Sequence, residues 1–303
     1  MTKVFIDGKA GTTGLRIYER LAQRQDLELI VLPEDLRKDP AAKAEAFAKA
    51  DIAFLCLPDA AAKEAAELAG DTAVIDTSTA HRTAEGWTYG FPELMGQTEK
   101  IAESKRIANP GCHASGFVSL VAPLVAEGLI SPDTALTCFS VTGYSGGGKK
   151  MIADYESKDR PQALDSPKQY GLGQDHKHLP EMQKICGLKT APVFCPVVSD
   201  FYSGMTVTVP LFKKDLNGNM AGIEEVYRRW YSGKLVRFER CPDGGVFGNM
   251  LSGRDDMVVT VAGNEDRILL ISCFDNLGKG ASGAAVQNMN ILLGLPQETG
   301  LVI

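Results

Sequence analysis

The chain has 303 residues, of which 44% are hydrophobic and 23% charged, and its formal net charge is −6. This length and composition are those of an ordinary globular protein that is large enough to divide into two lobes. The acidic balance argues against a nucleic-acid-binding surface, which normally carries a basic patch, and no apolar run approaches the length of a membrane span.

The cysteines and the N-terminus predict the compartment. The seven cysteines include no C-x-x-C pair, and Met1-Thr2-Lys3 leads directly into an apolar segment rather than into an export signal. We therefore expect a reduced, cytoplasmic protein without a disulfide framework.

The first apolar segment is followed at once by a glycine-rich turn. Val4-Phe5-Ile6 predicts a strand, and the pattern Leu15, Ile17, Tyr18, Leu21 predicts the helix after the turn. A strand, a glycine turn and a helix N-terminus form the phosphate cradle of a dinucleotide-binding unit. The residues expected to hold the pyrophosphate are Gly8, Gly11, Thr12, Thr13 and Gly14.

Strands and helices then alternate, which predicts a mainly parallel sheet. The predicted segments are a strand over 27–32, a helix over 41–50, a strand over 52–57, a helix over 60–69 and a strand over 73–76. After the second strand, Glu34 and Asp35 favour NAD, whereas Arg37 and Lys38 favour NADP, so the residues leave both cofactors open. Arg82 follows the end of the strand over 73–76, where its planar fork could clamp a phosphate or carboxylate.

Asn109-Pro110-Gly111-Cys112 predicts a sharp turn that delivers a cysteine to the start of a helix over 114–125. A helix N-terminus stabilises a thiolate, so Cys112 is the candidate nucleophile. Its acid/base partner is expected to be His176 or His178, because the adjacent His113 would not face Cys112 on a helix. In an extended chain these two histidines, at i and i+2, share a face, which also suits a metal, but no third ligand has a recognisable spacing, so we predict no metal.

Beyond the Cys112 helix the pattern changes to longer strands, which predict an antiparallel sheet in a second lobe. The predicted strands span 136–141, 193–196, 204–211, 258–262 and 267–274, with a short helix over 224–230 and a last helix over 284–293 that returns to the nucleotide lobe. The glycine cluster over 143–150 would let the backbone approach a ligand closely, or would form a flexible loop.

With these motifs placed, the chain resembles the N-acetyl-γ-glutamyl-phosphate reductases of arginine biosynthesis, in their shorter form, over nearly its whole length. The resemblance rests on the glycine turn, Asp76…Ser78…Arg82, Tyr89-Gly90-Phe91-Pro92-Glu93, Asn109-Pro110-Gly111-Cys112, Ser145–Gly148, His176-Lys177-His178-x-Pro180-Glu181 and the block from Asp275 to Asn290. Two positions depart from the family pattern, because His113 stands where an aromatic residue is common and Ser115 where threonine is common.

The resemblance implies NADPH as cofactor, an acyl-phosphate substrate, a homo-oligomer, and the fold of glyceraldehyde-phosphate and aspartate-semialdehyde dehydrogenases. We accordingly expect a Rossmann-type α/β domain (residues 1–111 and 281–303) and an α+β catalytic and oligomerisation domain with an antiparallel or mixed sheet (residues 112–280). Cys112 and His178 are the implied catalytic pair. The implied substrate contacts are Arg82, Ser145, His176 and Lys177, and the implied further cofactor contacts are Arg37, Ser78, Gly146 and Asn276.

Two other functions remain possible on the sequence. A related reductase that acts on an aspartyl or aminoadipyl phosphate would share the loops and differ in the substrate pocket. A non-catalytic nucleotide-binding protein could instead use Cys112 as a redox sensor. Retention of Arg82 and His178 together with the cysteine turn argues against the sensor, because sensing needs only a reactive thiol.

Overall fold

The computed structural model describes residues 1–9 and 11–303. The chain divides into two compact units. The first comprises residues 1–92, 96–111 and 281–301, and the second comprises residues 93–95, 112–280 and 302–303.

The first unit is built around a parallel sheet. Its strands are β1 (Thr2–Asp7), β2 (Leu27–Ile30), β3 (Ile52–Leu55), β4 (Ala73–Asp76), β5 (Thr88–Tyr89) and β6 (Arg106–Ala108). Its helices are α1 (Thr12–Leu21), α2 (Pro40–Lys49), α3 (Asp59–Leu68), α4 (Gln97–Glu103) and, after the second unit, α9 (Gly283–Leu292). The strand order is β2-β1-β3-β4-β6-β5 with every pairing parallel, which confirms the predicted parallel sheet of a Rossmann-type domain.

Two apolar cores cover the faces of this sheet. One core packs α1 and α9 through side chains such as Ile17 and Met289, and the other packs α2 and α3 through side chains such as Phe47 and Ala65. All four residues of β3 are buried, which explains why this strand is a continuous apolar run rather than an alternating one. Strand β4 has the predicted bounds, whereas β5, β6 and α4 are too short and too polar to stand out in the sequence.

The second unit contains a mixed sheet. Its strands are β7 (Thr137–Gly143), β8 (Lys168–Gln169), β9 (Val193–Ser199), β10 (Met205–Phe212), β11 (Val236–Phe238), β12 (Met257–Gly263) and β13 (Arg267–Phe274). Its helices are α5 (Cys112–Ala126), α6 (Gly148–Glu156), α7 (Leu179–Ile185) and α8 (Met220–Trp230), and a π-helical turn spans Gly278–Ser282.

The strand order is β11-β12-β13-β10-β7-β9-β8, with β7 parallel to β9 and β11 parallel to β12. The sheet is therefore mixed, which is one of the two arrangements expected for this unit, and β7 and β9 form a parallel pair within it. The physical reason is the connection from β7 to β9, which carries two helices and is long enough for the crossover that parallel pairing requires.

The two faces of this sheet have different environments. Helix α5 packs on one face at Gly116, where a Cβ atom would lie 2.4 Å from Val207 Cγ2, so only glycine allows this approach. The opposite, outer face carries the exposed apolar side chains Phe139, Val193, Phe212 and Leu269, which the strand register places on one side. We call these four side chains the outer apolar face.

Within residues 1–9 and 11–303, no helix is long and apolar enough to cross a membrane. The same described residues contain no group of three or more His, Cys, Asp or Glu side chains arranged to hold a metal ion.

Candidate active site

The glycine turn in the first unit forms a cradle at the start of α1. Gly8 has φ +91°, and a Cβ atom on it would lie 2.3 Å from the Cys56 carbonyl oxygen, so only glycine fits. Gly11 is the N-cap of α1 and donates its N–H to the Gly8 oxygen at 3.0 Å. The turn therefore brings bare backbone to a helix N-terminus, which suits a pyrophosphate. Ala10, inside this turn, lies outside the described residues.

The side chains predicted to contact the cofactor in this unit have protein partners. Arg37 Nη2 lies 2.8 Å from Glu34 Oε1 in an exposed ion pair. The basic residue that favours NADP is thus paired with an acidic residue that favours NAD. Ser78 donates through Oγ to Asp76 Oδ2 at 2.7 Å and through its backbone N–H to Asp76 Oδ1 at 2.9 Å. The His81 ring lies 2.6 Å from the same carboxylate and stacks on Trp87.

Arg82 is buried against the turn that precedes the cysteine. Its Nε donates to the Asn109 carbonyl oxygen at 3.0 Å, and its Nη2 donates to the Thr77 carbonyl oxygen at 3.1 Å. These bonds hold the guanidinium in one orientation at the carboxyl end of β4. The sequence placed Arg82 at this edge of the sheet but carried no signal for its backbone partners.

Asn288 in α9 supports the same turn, a role that no pattern in the sequence predicted. Its Nδ2 donates to the Gly90 carbonyl oxygen at 3.0 Å and to Asn109 Oδ1 at 3.2 Å. Asn109 in turn donates to the Ala281 carbonyl oxygen at 3.0 Å. The backbone before Pro110-Gly111 is thus fixed by residues almost two hundred positions away, and only the Asn-rich end of the final motif hinted at this.

In the second unit, Cys112 is the first residue of α5 and is half-buried, as the Pro-Gly turn predicted. A Cβ atom on Gly280 would lie 2.9 Å from Cys112 Cβ, so this glycine lets the π-helical turn approach the cysteine. In that turn the buried Lys279 Nζ donates to Glu93 Oε1 at 2.7 Å. Burial lowers the pKa of Lys279, and the Glu93 carboxylate opposes that shift.

Three other thiols of this unit lie in the core and are poor nucleophiles. Burial raises the pKa of Cys273 to about 11, and burial also raises the pKa values of Cys138 and Cys186. Since the thiolate is the reactive form, these three cysteines stay protonated at neutral pH.

Three histidines form an aromatic cluster in the second unit. The His176 and His178 rings are perpendicular with centroids 4.7 Å apart, and the His113 ring lies 5.7 Å and 5.6 Å from them. The expectation of an extended chain here was wrong, because His178 has helical φ −82° and ψ −14° as the N-cap of α7. Its backbone N–H donates to His176 Nδ1 at 3.2 Å, which holds the two rings together.

His113 makes two side-chain hydrogen bonds within this cluster. Its Nδ1 lies 2.7 Å from Ser140 Oγ, and its Nε2 lies 2.8 Å from the Tyr170 hydroxyl. Burial, and to a smaller extent the neighbouring His176, lower the pKa of His113 to about 3. His113 was not expected to be a partner for Cys112, and no local motif in the sequence marks Ser140 or Tyr170.

Ser145, Gly146 and Asn276 follow β7 and β13, and Lys177 precedes α7. Ser145 is buried and accepts from Asn276 Nδ2 at 3.0 Å, while Asn276 Oδ1 accepts from the Gly204 N–H at 2.8 Å. A Cβ atom on Gly146 would lie 3.4 Å from Asn276 Nδ2. Lys177 is exposed. The glycine cluster is not a flexible loop, because it forms a 3₁₀ turn, Tyr144–Gly147, and the start of α6.

The comparisons with known proteins define the class first. Residues 33–104 match the model described as semialdehyde dehydrogenase, NAD binding domain, and residues 112–276 match semialdehyde dehydrogenase, dimerisation domain. Aspartate semialdehyde dehydrogenase II from Vibrio cholerae has the same fold, with a TM-score of 0.73 at 18% identity over 97% of this chain and 98% of that one. The enzyme from Francisella tularensis gives 0.72 at 14% identity, over 97% and 100%. The chain therefore has a semialdehyde dehydrogenase fold.

Closer relatives give the family. N-acetyl-gamma-glutamyl-phosphate reductase 2 of Nostoc sp. is 45% identical, over 99% of both chains. The Brucella ovis N-acetyl-gamma-glutamyl-phosphate reductase is 46% identical, over 96% of this chain and 99% of that one. The chain belongs to the N-acetyl-gamma-glutamyl-phosphate reductase family, and the family resemblance found in the motifs is confirmed.

Proposed function

We propose that the protein reduces N-acetyl-γ-glutamyl phosphate to N-acetyl-glutamate semialdehyde with NADPH, as a step of arginine biosynthesis. The observation that carries this proposal is the placement of Cys112. This half-buried thiol begins a helix that is buried from His113 to Leu124, and His113 lies in a cluster with His176 and His178. The names of the relatives that cover the whole chain support the substrate.

In this mechanism the Cys112 thiolate attacks the γ-acyl carbon, and phosphate leaves to give a thioester on the sulfur. NADPH, when bound, would supply the hydride that reduces this thioester. The C–S bond then breaks, which releases the semialdehyde and returns the Cys112 thiolate. His178 takes and returns the proton at the sulfur and at the carbonyl oxygen, with His176 beside it in the substrate pocket. The backbone N–H groups at the start of α5 stabilise the oxyanion.

The other contacts belong to substrate and cofactor. Arg82 grips the phosphate that leaves, with its guanidinium already oriented by the Asn109 and Thr77 carbonyl groups. Ser145 and Lys177 hold polar groups of the acyl chain. The glycine turn fits a dinucleotide, because Gly8 and Gly11 bring bare backbone to the N-terminus of α1. The residues proposed to hold NADPH are Gly8, Gly11, Thr12, Thr13, Gly14, Arg37, Ser78, Gly146 and Asn276.

A nicotinamide dinucleotide is supported by the matched NAD binding domain. The choice of NADP over NAD rests on Arg37, for which the 2′-phosphate would compete with Glu34. A similar fold was solved with NADP in the Candida albicans aspartate semialdehyde dehydrogenase (TM-score 0.70, 16% identity, over 97% of this chain and 98% of that one). Equal efficiency with NAD and NADP would contradict this choice.

The proposal includes a cytoplasmic homo-oligomer. Seven free cysteines, of which Cys138, Cys186 and Cys273 are buried, suit a reducing compartment. The matched dimerisation domain spans the sheet that carries the outer apolar face, and a second copy of the chain would cover that face.

The test runs the reaction in the oxidative direction. We expect N-acetyl-glutamate semialdehyde to be oxidised in the presence of phosphate and NADP, and aspartate semialdehyde to be used poorly. A pocket that hydrogen-bonds the acetamido group leaves polar atoms unpaired with a substrate that lacks it. Cys112→Ser should lose about 10³-fold or more of the turnover while keeping the fold. Cys195→Ser, at another half-buried thiol of the same unit, is the matched control and should keep it.

Three outcomes would contradict the proposal. Faster use of aspartate semialdehyde would favour the related reductase. Near-normal turnover in Cys112→Ser would mean that Cys112 is not the nucleophile. No turnover of either aldehyde by the wild-type protein, with Cys112 readily oxidised, would favour the redox sensor.

A further inference from the structure

Two buried polar groups and one half-buried tyrosine form a hydrogen-bonded chain that includes the residue after Cys112. Ser140 in β7 is fully buried, and its Oγ lies 2.7 Å from His113 Nδ1. His113 Nε2 lies 2.8 Å from the hydroxyl of Tyr170, which follows β8. His113 is the second residue of α5, so this chain connects the sheet with the first turn of the helix that Cys112 opens.

The hydrogen bond that the Ser140 hydroxyl makes determines which ring nitrogen of His113 carries the proton. Among the described residues, the His113 ring is the partner of the Ser140 hydroxyl. A buried hydroxyl proton needs an acceptor, and the unprotonated Nδ1 of His113 is that acceptor. The ring proton is then on Nε2, from which it is donated to the Tyr170 oxygen. The Tyr170 hydroxyl accepts from His113, so its own proton is directed to a different acceptor.

Cys112 is near the Tyr170 hydroxyl, because it directly precedes His113, to which that hydroxyl is bonded. Burial raises the pKa of Tyr170, and a negative charge on the nearby Cys112 raises it further. Tyr170 therefore stays a protonated donor at neutral pH, close enough to the thiol to sense its charge.

We propose that Ser140 and His113 orient the Tyr170 hydroxyl to donate a hydrogen bond to the oxygen that becomes negative when Cys112 attacks an acyl carbon. This inference rests on the thiol chemistry of the proposed function. Tyr170 is then a catalytic residue, and Ser140 and His113 are positioning residues that act through it. The charge on the tetrahedral oxygen is stabilised by a donor that is already oriented before the attack.

His113 orients the phenol and does not transfer the proton itself. His176 and His178 face it from the segment before α7, Tyr170 faces it from the segment after β8, and Phe194 of β9 closes the ring cluster. In these buried surroundings its pKa of about 3 keeps the ring neutral throughout the working pH range. A neutral ring has one fixed donor and one fixed acceptor, as the orientation of Tyr170 requires.

The experiment compares two reactions of Cys112 in the full-length protein without cofactor. Acylation by p-nitrophenyl acetate forms a C–S bond, passes through a negative tetrahedral oxygen and expels p-nitrophenolate. Alkylation by iodoacetamide forms a C–S bond and expels iodide without such an oxygen. An oxyanion donor accelerates only the acylation, so the ratio of the two rates measures the Tyr170 hydrogen bond, with no need for the natural substrate.

We expect His113→Phe and Tyr170→Phe each to slow acylation about tenfold or more, and the double variant to be no slower than Tyr170→Phe. Alkylation of Cys112 should stay within about twofold of the wild-type rate in all three variants. Ser140→Ala should also slow acylation, because it removes the hydroxyl donor that fixes the tautomer of His113. The wild-type to His113→Phe acylation ratio should be constant between about pH 5 and 9, since His113 is neutral there.

Tyr227→Phe is the matched control, because this buried tyrosine donates to the Leu120 carbonyl oxygen away from the cluster, and it should leave both rates unchanged.

Four results would overturn the inference. If the acylation rate of the double variant falls by the product of the two single-variant losses, His113 does not act through Tyr170. If the variants slow alkylation of Cys112 as much as acylation, the cause lies in the thiolate or in the packing and not in an oxyanion donor. If the ratio of the wild-type to the His113→Phe acylation rate changes with pH, His113 transfers a proton. If Ser140→Ala is acylated at the wild-type rate, Ser140 does not orient His113. Each of these results overturns the inference, whereas failure to use N-acetyl-glutamate semialdehyde would overturn only the proposed function.

Discussion

His113 has a consequence for stability as well as for the site. Its ring is buried and neutral, with a pKa of about 3 in the folded protein, against 6.5 for an ordinary histidine. Between these two values the unfolded chain binds a proton that the folded chain does not bind. Protonation therefore favours the unfolded state, and the free energy of unfolding falls as the pH falls through this window.

We expect urea denaturation to show this loss between pH 6.5 and about 3. The His113 contribution to the slope approaches about 1.4 kcal/mol per pH unit, the value for one proton. His113→Phe removes the titrating group, so its free energy of unfolding, although lower overall, should change less steeply from pH 6 to about pH 4.5. Parallel curves for the two proteins would mean that His113 is protonated in the folded state.

At the scale of elements, α5 contains a proline that its partner helix compensates. Pro123 lies inside α5 and has no N–H to donate to the Ser119 carbonyl oxygen. The Tyr231 hydroxyl, at the end of α8, donates to that oxygen at 2.6 Å. The Tyr227 hydroxyl donates at 2.6 Å to the next carbonyl oxygen, that of Leu120, which has an ordinary helical partner one turn later. Packing against α8 thus allows a helix that propensity alone would interrupt.

Tyr231→Phe should lower the free energy of unfolding by about 1–3 kcal/mol, because it leaves a buried carbonyl without a donor. Tyr227→Phe removes a bond of the same length to a carbonyl that keeps its helical donor, so it is the matched control and should cost less. In the Pro123→Ala background the new N–H replaces the Tyr231 donor, and Tyr231→Phe should then cost about as little as Tyr227→Phe. Equal costs for the two single variants, measured by urea denaturation, would contradict this explanation.

At the scale of the whole molecule, the mixed sheet presents one face to α5 and leaves the outer apolar face exposed. Phe139, Val193, Phe212 and Leu269 are each 38–58% exposed, although they lie on neighbouring strands. Apolar side chains gathered on one sheet face in this way mark an interaction surface. The matched dimerisation domain covers the same strands, which supports a second copy of the chain as the occupant.

Phe139→Glu should shift the protein toward the monomer, because it places a charge in the centre of an apolar interface. Sedimentation equilibrium of wild type and variant over a range of concentrations measures the shift. Phe247→Glu is the control, since Phe247 is 73% exposed but lies in a loop outside the sheet, and it should leave the mass unchanged. A variant that keeps the wild-type mass would place the interface elsewhere.

The sequence determined the parts of this protein that depend on local patterns. Alternating apolar segments predicted the parallel sheet, and the glycines after β1 predicted the cradle at α1. Pro110-Gly111 predicted that Cys112 would begin a helix, because these two residues restrict or free the backbone whatever surrounds them. The ordered motifs also identified the family.

Only the tertiary structure decided what those elements contact. His113 and Tyr170 are 57 residues apart, and Asn109 and Asn288 are 179 apart, so no periodicity or turn signal connects them. The same is true of the parallel pairing of β7 with β9, which depends on the path of two intervening helices. In the sequence, His113 beside Cys112 is only a departure from the usual cysteine motif of the family. Its neutral charge and its hydrogen bonds arise from burial and from the donors that the fold brings to it.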